Sequence, residues 1–397
     1  MTMFSEKMAE KGRKRSAIRE IFEYALKRKE EIGADNVFDF SIGNPSVPAP
    51  EIITDTLIKL IRNTDPVALH GYTSAQGDKA ACKAVADYIT KTFNAPADPR
   101  YIYFTSGAAA ALSICLRALG TGNDEIILFA PYFPEYCVFT ENAGCKNVVI
   151  PYKSDLTPDL EAFEKAISMH TKAVIINSPN NPGGMVYSEA IIKNIAEILE
   201  NKSKQFGHPI FIISDEPYRE LVYDNVFVPY IPNYYKNTFV CYSFSKVWSI
   251  PGERIGYIYL HPSMYCVNDL FAAVCGAGRA LGYVCASSLF QKLVERCIGT
   301  GANIAVYSKN RELLYGALSE YGFDCIHPEG AFYLFVKAPE GNAEKFAQAA
   351  KKHELLIVPA DSFGAPDCVR ISYCVSTEQI MRSLPAFKAL AEEIKAK

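Results

Sequence analysis

Lys246 stands in a short stretch with two serines just before it and Arg254 shortly after it. The stretch lies between two apolar runs, residues 238–241 and 255–260, that read as buried strands. A loop leaving a buried strand is where open α/β sheets hold ligands. Ser243, Ser245 and Arg254 could together grip a phosphate, through hydroxyl donors and a bidentate guanidinium. Lys246 would then stand beside a phosphorylated ligand with its amine partly desolvated. Such an amine has a lowered pKa and can form a Schiff base. The competing reading is a solvated surface lysine.

Other stretches carry compatible chemistry. Asp215 closes the apolar run 210–214, and a buried carboxylate at a strand end needs a partner unless it caps a helix. In Thr105-Ser106-Gly107-Ala108-Ala109-Ala110 a strand runs into a helix. Small residues there would let an anion reach the free N–H groups, although an alanine-rich buried helix has the same look. Phe133, or Tyr132 beside it, could stack on a flat ring or simply fill the core. Asn181 sits in Asn177-Ser178-Pro179-Asn180-Asn181-Pro182-Gly183-Gly184, where prolines and glycines fix a rigid loop. Arg370 lies in an apolar β-rich run, where an unpaired charge is expensive. A substrate carboxylate or a protein carboxylate could equally be its partner.

The elements that must position these residues follow a clear pattern. Seven apolar runs read as strands: 102–105, 125–129, 147–151, 173–177, 210–214, 238–242 and 256–260. Helical stretches fall between several of them, at 108–119, 159–169 and 188–200. Strands alternating with helices predict an α/β fold with a mostly parallel sheet covered on both faces. Residues 16–32 form an amphipathic helix with Ile18, Ile21, Phe22 and Leu26 on one stripe, and 37–42 a short strand. A helix over 79–92 places Cys82, Val85, Ala86 and Ile89 on another. Beyond residue 260 the pattern is helical to about 298, with a further helix to about 321. Strands at 330–336, 355–358 and 368–372, with helices at 343–353 and 377–396, complete a smaller α+β domain.

Composition narrows the function class. The 397 residues suffice for two or three domains, and 49% hydrophobic with 21% charged is ordinary for a globular chain. The net charge is −3 and the basic run at 11–15 is short, so nucleic acid is not an expected partner. No stretch approaches the roughly 18 apolar residues of a membrane span, and the polar start does not read as a signal peptide. The twelve cysteines lack zinc-site spacing, and the many in apolar runs, such as Cys115, Cys241 and Cys285, read as small buried residues in a reducing cytosol.

The stretch S-x-S-K-x-x-x-x-P-G-x-R-x-G resembles the attachment motif of fold-type I aminotransferases of class I and II, the aspartate aminotransferase-like family. The resemblance covers roughly residues 16–395. Its motifs come in the expected order: G-N-P at 43–45, the loop of Tyr72, S-G-A, N-N-P-G-G, D-E-P-Y, S-F-S-K and V-R-I-S. It implies a seven-stranded, mostly parallel sheet in a large domain (45–290), with a discontinuous small domain (1–44 and 291–397). It implies pyridoxal 5′-phosphate (PLP) on Lys246, with Gly107, Ala108, Ala109, Ser243, Ser245 and Arg254 at the phosphate. Phe133 would cover the pyridine, Asp215 would pair with its nitrogen, and Asn181 and Tyr218 would donate to its phenolate oxygen. Tyr72 would reach the phosphate of a partner's cofactor across a homodimer interface. Gly43 and Arg370 would receive the substrate carboxylate. Departures from the pattern are Gly183, where threonine is usual, and Ala360, where glycine is.

The expected enzyme is a cytoplasmic aminotransferase that moves an amino group between an L-amino acid and a 2-oxo acid, with Lys246 as general base. The same site serves carbon–sulfur β-lyases, so elimination is the alternative. A PLP-binding transcription regulator would need an added DNA-binding domain, and only about forty residues precede Gly43. A non-catalytic structural protein would have no use for Lys246, Asp215 and Arg370 together. For substrate choice, Gly276 and Gly278 would allow a non-helical loop around Arg279. In the aspartate enzymes an arginine from a comparable region reaches the neighbouring subunit's substrate; otherwise Arg279 is a surface arginine.

Overall fold

The computed structural model describes residues 3–13 and 16–396. Its strands in chain order are β1 (Phe38–Asp39), β2 (Ile102–Thr105), β3 (Glu125–Phe129), β4 (Lys146–Ile150), β5 (Thr171–Asn177), β6 (Phe211–Asp215) and β7 (Thr238–Ser243). They continue as β8 (Gly256–Leu260), β9 (Cys325–Ile326), β10 (Tyr333–Lys337), β11 (Leu355–Leu356), β12 (Val358–Pro359) and β13 (Cys368–Ser372). The large sheet has the order β2-β8-β7-β6-β5-β3-β4. It is parallel throughout except for β8, which runs antiparallel to both neighbours. The period of two explains why these runs form strands covered on both sides. Ile126 and Leu128 enter one apolar cluster with Ile175 and Ile213, while Ile127 and Phe129 enter another with Val174 and Ile212.

A smaller α+β domain carries the antiparallel sheet β12-β13-β10-β9. The N-terminal part joins it, because β1 pairs in parallel with β11. The helix Ala17–Ile32 leads into that pairing, and its Ser16 side chain accepts from the Arg19 N–H as an N-cap. Among the described residues, no helix is long and apolar enough to cross a membrane. All twelve cysteines are free; Cys115 and Cys241 are buried, whereas Cys285 is partly exposed.

Several expectations need correction. The run 37–42 is a strand only at Phe38–Asp39, yet the chain stays bonded beyond it. The Phe40 N–H donates to Leu356 O and its carbonyl accepts from Ser372 N–H, so one short segment ties two sheets together. The run 355–358 divides into β11 and β12, which belong to different sheets. On the first amphipathic helix Ala25 is buried and Leu26 is 48% exposed. In the basic run at 11–15, Lys11 pairs with Glu141, and Lys14 and Arg15 lie outside the described residues. The helical stretch from 260 resolves into Val267–Leu281 and Ser288–Cys297.

That division moves Arg279 out of the expected loop and into a helix. Gly278 is required there for packing, not for freedom. A Cβ at Gly278 would stand 2.3 Å from the Tyr103 hydroxyl, which donates to Tyr283 O. A local sequence pattern does not reveal such a contact.

Gly256 opens β8 opposite Ser243. A Cβ there would lie 2.2 Å from Tyr242 O and 3.1 Å from the Gly107 Cα. Both are backbone atoms and cannot rotate away. Gly256→Ala is expected to lower stability by roughly 1–3 kcal/mol through overpacking. Urea unfolding would show a lower midpoint at constant slope; an unchanged midpoint would mean that the backbone yields freely.

Candidate active site

The site forms where several strands end on one edge of the large sheet. β5, β6 and β7 are parallel neighbours, and their C-terminal ends lead to Asn181, Asp215 and Lys246 respectively. β2 runs the same way as β7 on the far side of β8 and delivers Gly107. Arg254 precedes β8 and so arrives at the same edge.

Lys246 lies on a one-turn helix, Phe244–Val247, capped by the Ser243 hydroxyl. Its Nζ donates to Gly43 O at 2.7 Å. Burial pulls its pKa down to about 8, with the nearby Arg254 and Arg370 charges acting in the same direction and Cys374 opposing. The expected desolvated amine is therefore present.

Around it lies an anion cradle. The Ser243 hydroxyl donates to Ser245 Oγ at 2.8 Å. Arg254 donates to Ser245 Oγ and to Ser106 O, each at 3.3 Å. Gly107, at φ 79°, caps the helix Ala108–Leu119 without any side-chain bond to its N–H groups. A Cβ at Gly107 would meet the Arg254 guanidinium at 2.7 Å. Ala108 is half-buried and Ala109 exposed, so the first turn is open to an anion. The six residues assigned to a phosphate are gathered at one edge.

Asp215 is buried, and only one of its oxygens is satisfied. Oδ2 accepts from the Tyr136 hydroxyl at 2.5 Å, whereas Oδ1 has no partner. Burial pushes the carboxyl up to about 7, against the opposing pull of the Tyr136 bond. Asn177 braces the strand end: its amide donates to Asp215 O at 2.9 Å and its oxygen accepts from Asn181 N–H at 2.7 Å. Phe133 packs edge-on against Tyr136, the residue that bonds Asp215, with ring centroids 5.6 Å apart. Tyr132 instead donates its N–H to Phe363 O and presses its ring against Gly364.

Arg370, only 1% exposed, bonds neutral acceptors: Asn181 Oδ1 at 3.0 Å and Ser41 O at 2.5 Å. Its Nε is unpartnered, and among the described residues it makes no ion pair with a carboxylate. Tyr333 and Phe363 lie over its guanidinium, at 4.6 and 5.1 Å. Desolvation lowers its pKa. The protein-carboxylate reading of Arg370 is thereby set aside. Tyr218 is also here, its hydroxyl 2.8 Å from that of Tyr333.

Tyr72 and Arg279 are not in this cleft. Tyr72 is 99% exposed, and Arg279 is exposed on its helix. Sequence reasoning missed Tyr136 and Tyr333. A tyrosine one turn after Phe133 was the available signal for the first; nothing local marked the second. A separate exposed group, Asp224, Glu312 and His327, surrounds Arg311, which donates to Asp224 at 2.8 Å and lies 2.6 Å from Glu312. Its negative charge already has a cation.

Comparison with known proteins decides the family. The model for "Aminotransferase class I and II" matches residues 35–387. The chain belongs to this family. An amino transferase from Eubacterium rectale, known from its crystal structure, is 52% identical, with a TM-score of 0.97 over 99% of each chain. A probable aspartate/prephenate aminotransferase from Aquifex aeolicus is 31% identical over 90% of this chain and 92% of its own. An aromatic-amino-acid aminotransferase from Thermococcus litoralis is 26% identical over 96% of each. The architecture is that of fold-type I, and the enzyme class is that of PLP-dependent aminotransferases.

The residues fit that cofactor. Asp215 Oδ1 is an acceptor without a donor, which a protonated ring nitrogen would supply. The cradle of Gly107, Ser245 and Arg254 suits a phosphate, and Lys246 offers the amine.

Asp215 yields a prediction for the cofactor-free protein. An acid whose folded pKa is raised binds its proton more tightly when folded. Stability therefore falls as pH rises from its unfolded value, 3.8, through about 7. The loss approaches ~4 kcal/mol for a shift of this size. Asp215→Asn should flatten the decline, read as the difference between apo-protein urea midpoints at pH 5 and pH 8. Parallel pH curves for both proteins would contradict it.

Proposed function

We propose that this aminotransferase acts on an L-amino acid and a 2-oxo acid as a cytoplasmic homodimer, with Lys246 as its general base. The observation that carries the reading is the set of three incompletely bonded groups, two at the edge of the large sheet and one on β13 of the smaller domain. Lys246 is held by a single carbonyl, Asp215 has an open oxygen, and Arg370 has an open nitrogen. Leaving three such groups unpaired is costly, and a zwitterionic substrate with PLP would satisfy all of them.

When bound, PLP supplies an electron sink for charge developing at the substrate α-carbon. Asp215 would hold the proton on the ring nitrogen, with Tyr136 fixing the carboxylate's other oxygen. Lys246, with its pKa near 8, is poised to take and return the α-proton. Arg370 receives the α-carboxylate, and the Gly43 backbone lies against it. Asn181 and Tyr218 would hold the ring oxygen, and Phe133 would cover the ring face.

Substrate choice is proposed to be aspartate-type through Arg279 of a second copy. Arg279 is exposed and makes no ion pair among the described residues, so it is available to a neighbouring molecule. Tyr72, nearly fully exposed, is assigned the same direction, toward a second copy's phosphate.

Lys246→Ala is expected to abolish covalent attachment of the cofactor and turnover together, the first read by mass spectrometry after borohydride reduction. Normal transamination in that variant would defeat the assignment. Asp215→Asn should retain the fold and slow α-proton removal by ~10²–10⁴-fold, read from isotope exchange at the α-carbon. Arg279→Ala should lower kcat/KM for aspartate and glutamate far more than for alanine or an aromatic amino acid. Equal losses across that panel would point to neutral or aromatic substrates instead. Assaying keto-acid transfer against pyruvate and ammonia release on the same panel separates transamination from β-elimination.

A further inference from the structure

Tyr333 meets three parts of the site at once. Its hydroxyl lies 2.8 Å from that of Tyr218, and its ring lies under the Arg370 guanidinium at 4.6 Å. A Cβ added to Gly43 would fall 2.1 Å from the Tyr333 oxygen, so the backbone of Gly43 walls off that side. Gly43 in turn holds Lys246 through its carbonyl. Tyr333 is on β10 of the smaller domain, whereas Tyr218 follows β6 of the large sheet. Both are buried, at 2% and 5% exposure.

The two hydroxyls have two protons and share one hydrogen bond. One proton lies in that bond, and the other needs an acceptor. Their mutual bond is the one hydrogen bond of either hydroxyl among the described residues. The surplus proton is costly to leave buried and unpaired. On Tyr333 it would face the Gly43 wall and the Arg370 cation. On Tyr218 it would face the cleft shared with Asp215. Burial raises both phenol pKa values, Tyr333 to about 12, so both protons are retained at neutral pH.

We infer that Tyr333 is a positioning residue that donates to the Tyr218 hydroxyl and thereby aims the Tyr218 proton at the ring oxygen of the bound cofactor. This role rests on the aminotransferase function proposed for the same site. A donor that itself receives a hydrogen bond is polarised and donates more strongly. Tyr333 thus tunes the cofactor from the smaller domain without touching it. Its ring separately supports Arg370, and the Tyr333→Phe variant keeps that ring in place.

The experiment is a pH titration of the visible absorbance of the PLP-loaded protein. The ring oxygen carries more negative charge after the bound chromophore loses its proton. A donor aimed at it favours the deprotonated form and lowers the midpoint. Tyr218→Phe should raise the midpoint by ~1–2 pH units, the loss of a direct bond to a charged acceptor. Tyr333→Phe should raise it by ~0.5–1 unit, with KM little changed because the ring over Arg370 remains. The double variant should match Tyr218→Phe, since the Tyr333 proton acts only through Tyr218. An unmoved midpoint in Tyr333→Phe overturns the relay, as does a shift that adds to that of Tyr218→Phe. A wild-type protein that acquires no visible band with PLP would overturn the aminotransferase reading itself.

Discussion

A buried carboxylate with one oxygen bonded and the other open is the constraint around which this site is built. Asp215 is 5% exposed, and its Oδ1 has no donor. Such a group would normally take a proton or a partner. Here the surroundings fix its geometry and leave the charge unanswered. Tyr136 bonds Oδ2, Asn177 holds the backbone carbonyl, and β6 lies between β5 and β7 in the interior of the sheet. Arg370 repeats the device with opposite sign, bonded to two neutral oxygens and close to two rings. Stability is given up in both places to keep a ligand's charges complemented in advance, the usual meaning of preorganisation.

The second constraint is the join between the two domains. Lys246 reaches from the large sheet to Gly43, Arg370 from β13 to Asn181, and Tyr333 from β10 to Tyr218. Each contact pairs a residue expected to touch ligand with a residue of the other domain. The first strand pairing helps to set this geometry. β1 is only two residues long, but with Phe40 it ties the chain to both β11 and β13 immediately before Gly43. The segment carrying Gly43 therefore enters the cleft from a fixed base.

Much of this was legible in the sequence, for physical reasons that differ by residue. The large-sheet strands are covered on both faces, so they read as continuous apolar runs whose ends fall within a residue or two of the observed ones. Lys246, Asp215 and Arg370 stood out because a charge at the edge of an apolar run demands an explanation. Tyr333 and Tyr136 did not, because a tyrosine in an apolar run is ordinary core. Their roles appear only when Tyr218 and Asp215 are found opposite them. The loop expected around Arg279 failed for a related reason. Two glycines beside it suggested a loop, but Gly278 is small because Tyr103 presses on the helix from β2. Tyr72 and Arg279 are exposed, and their suggested roles depend on a second molecule.

The two neighbouring acids of Asp215-Glu216 show how strand geometry sorts function from structure. Successive residues leaving a strand face opposite sides. Glu216 falls on the side of Ser214, whose hydroxyl donates to it at 2.6 Å, and it meets the Arg219 Nε at 2.5 Å. Arg219 lies 5.1 Å from the rings of both Phe93 and Tyr230 and donates to Val228 O and Pro229 O. Both oxygens of that acid are bonded, and its charge is answered by Arg219. Asp215, one residue earlier, faces the cleft with a free oxygen. A slip of one residue in register would turn Asp215 away from the cleft and Glu216 away from Arg219. The ladder on both sides of β6, pairing Asn177 with Asp215 and Asp215 with Cys241, resists that shift.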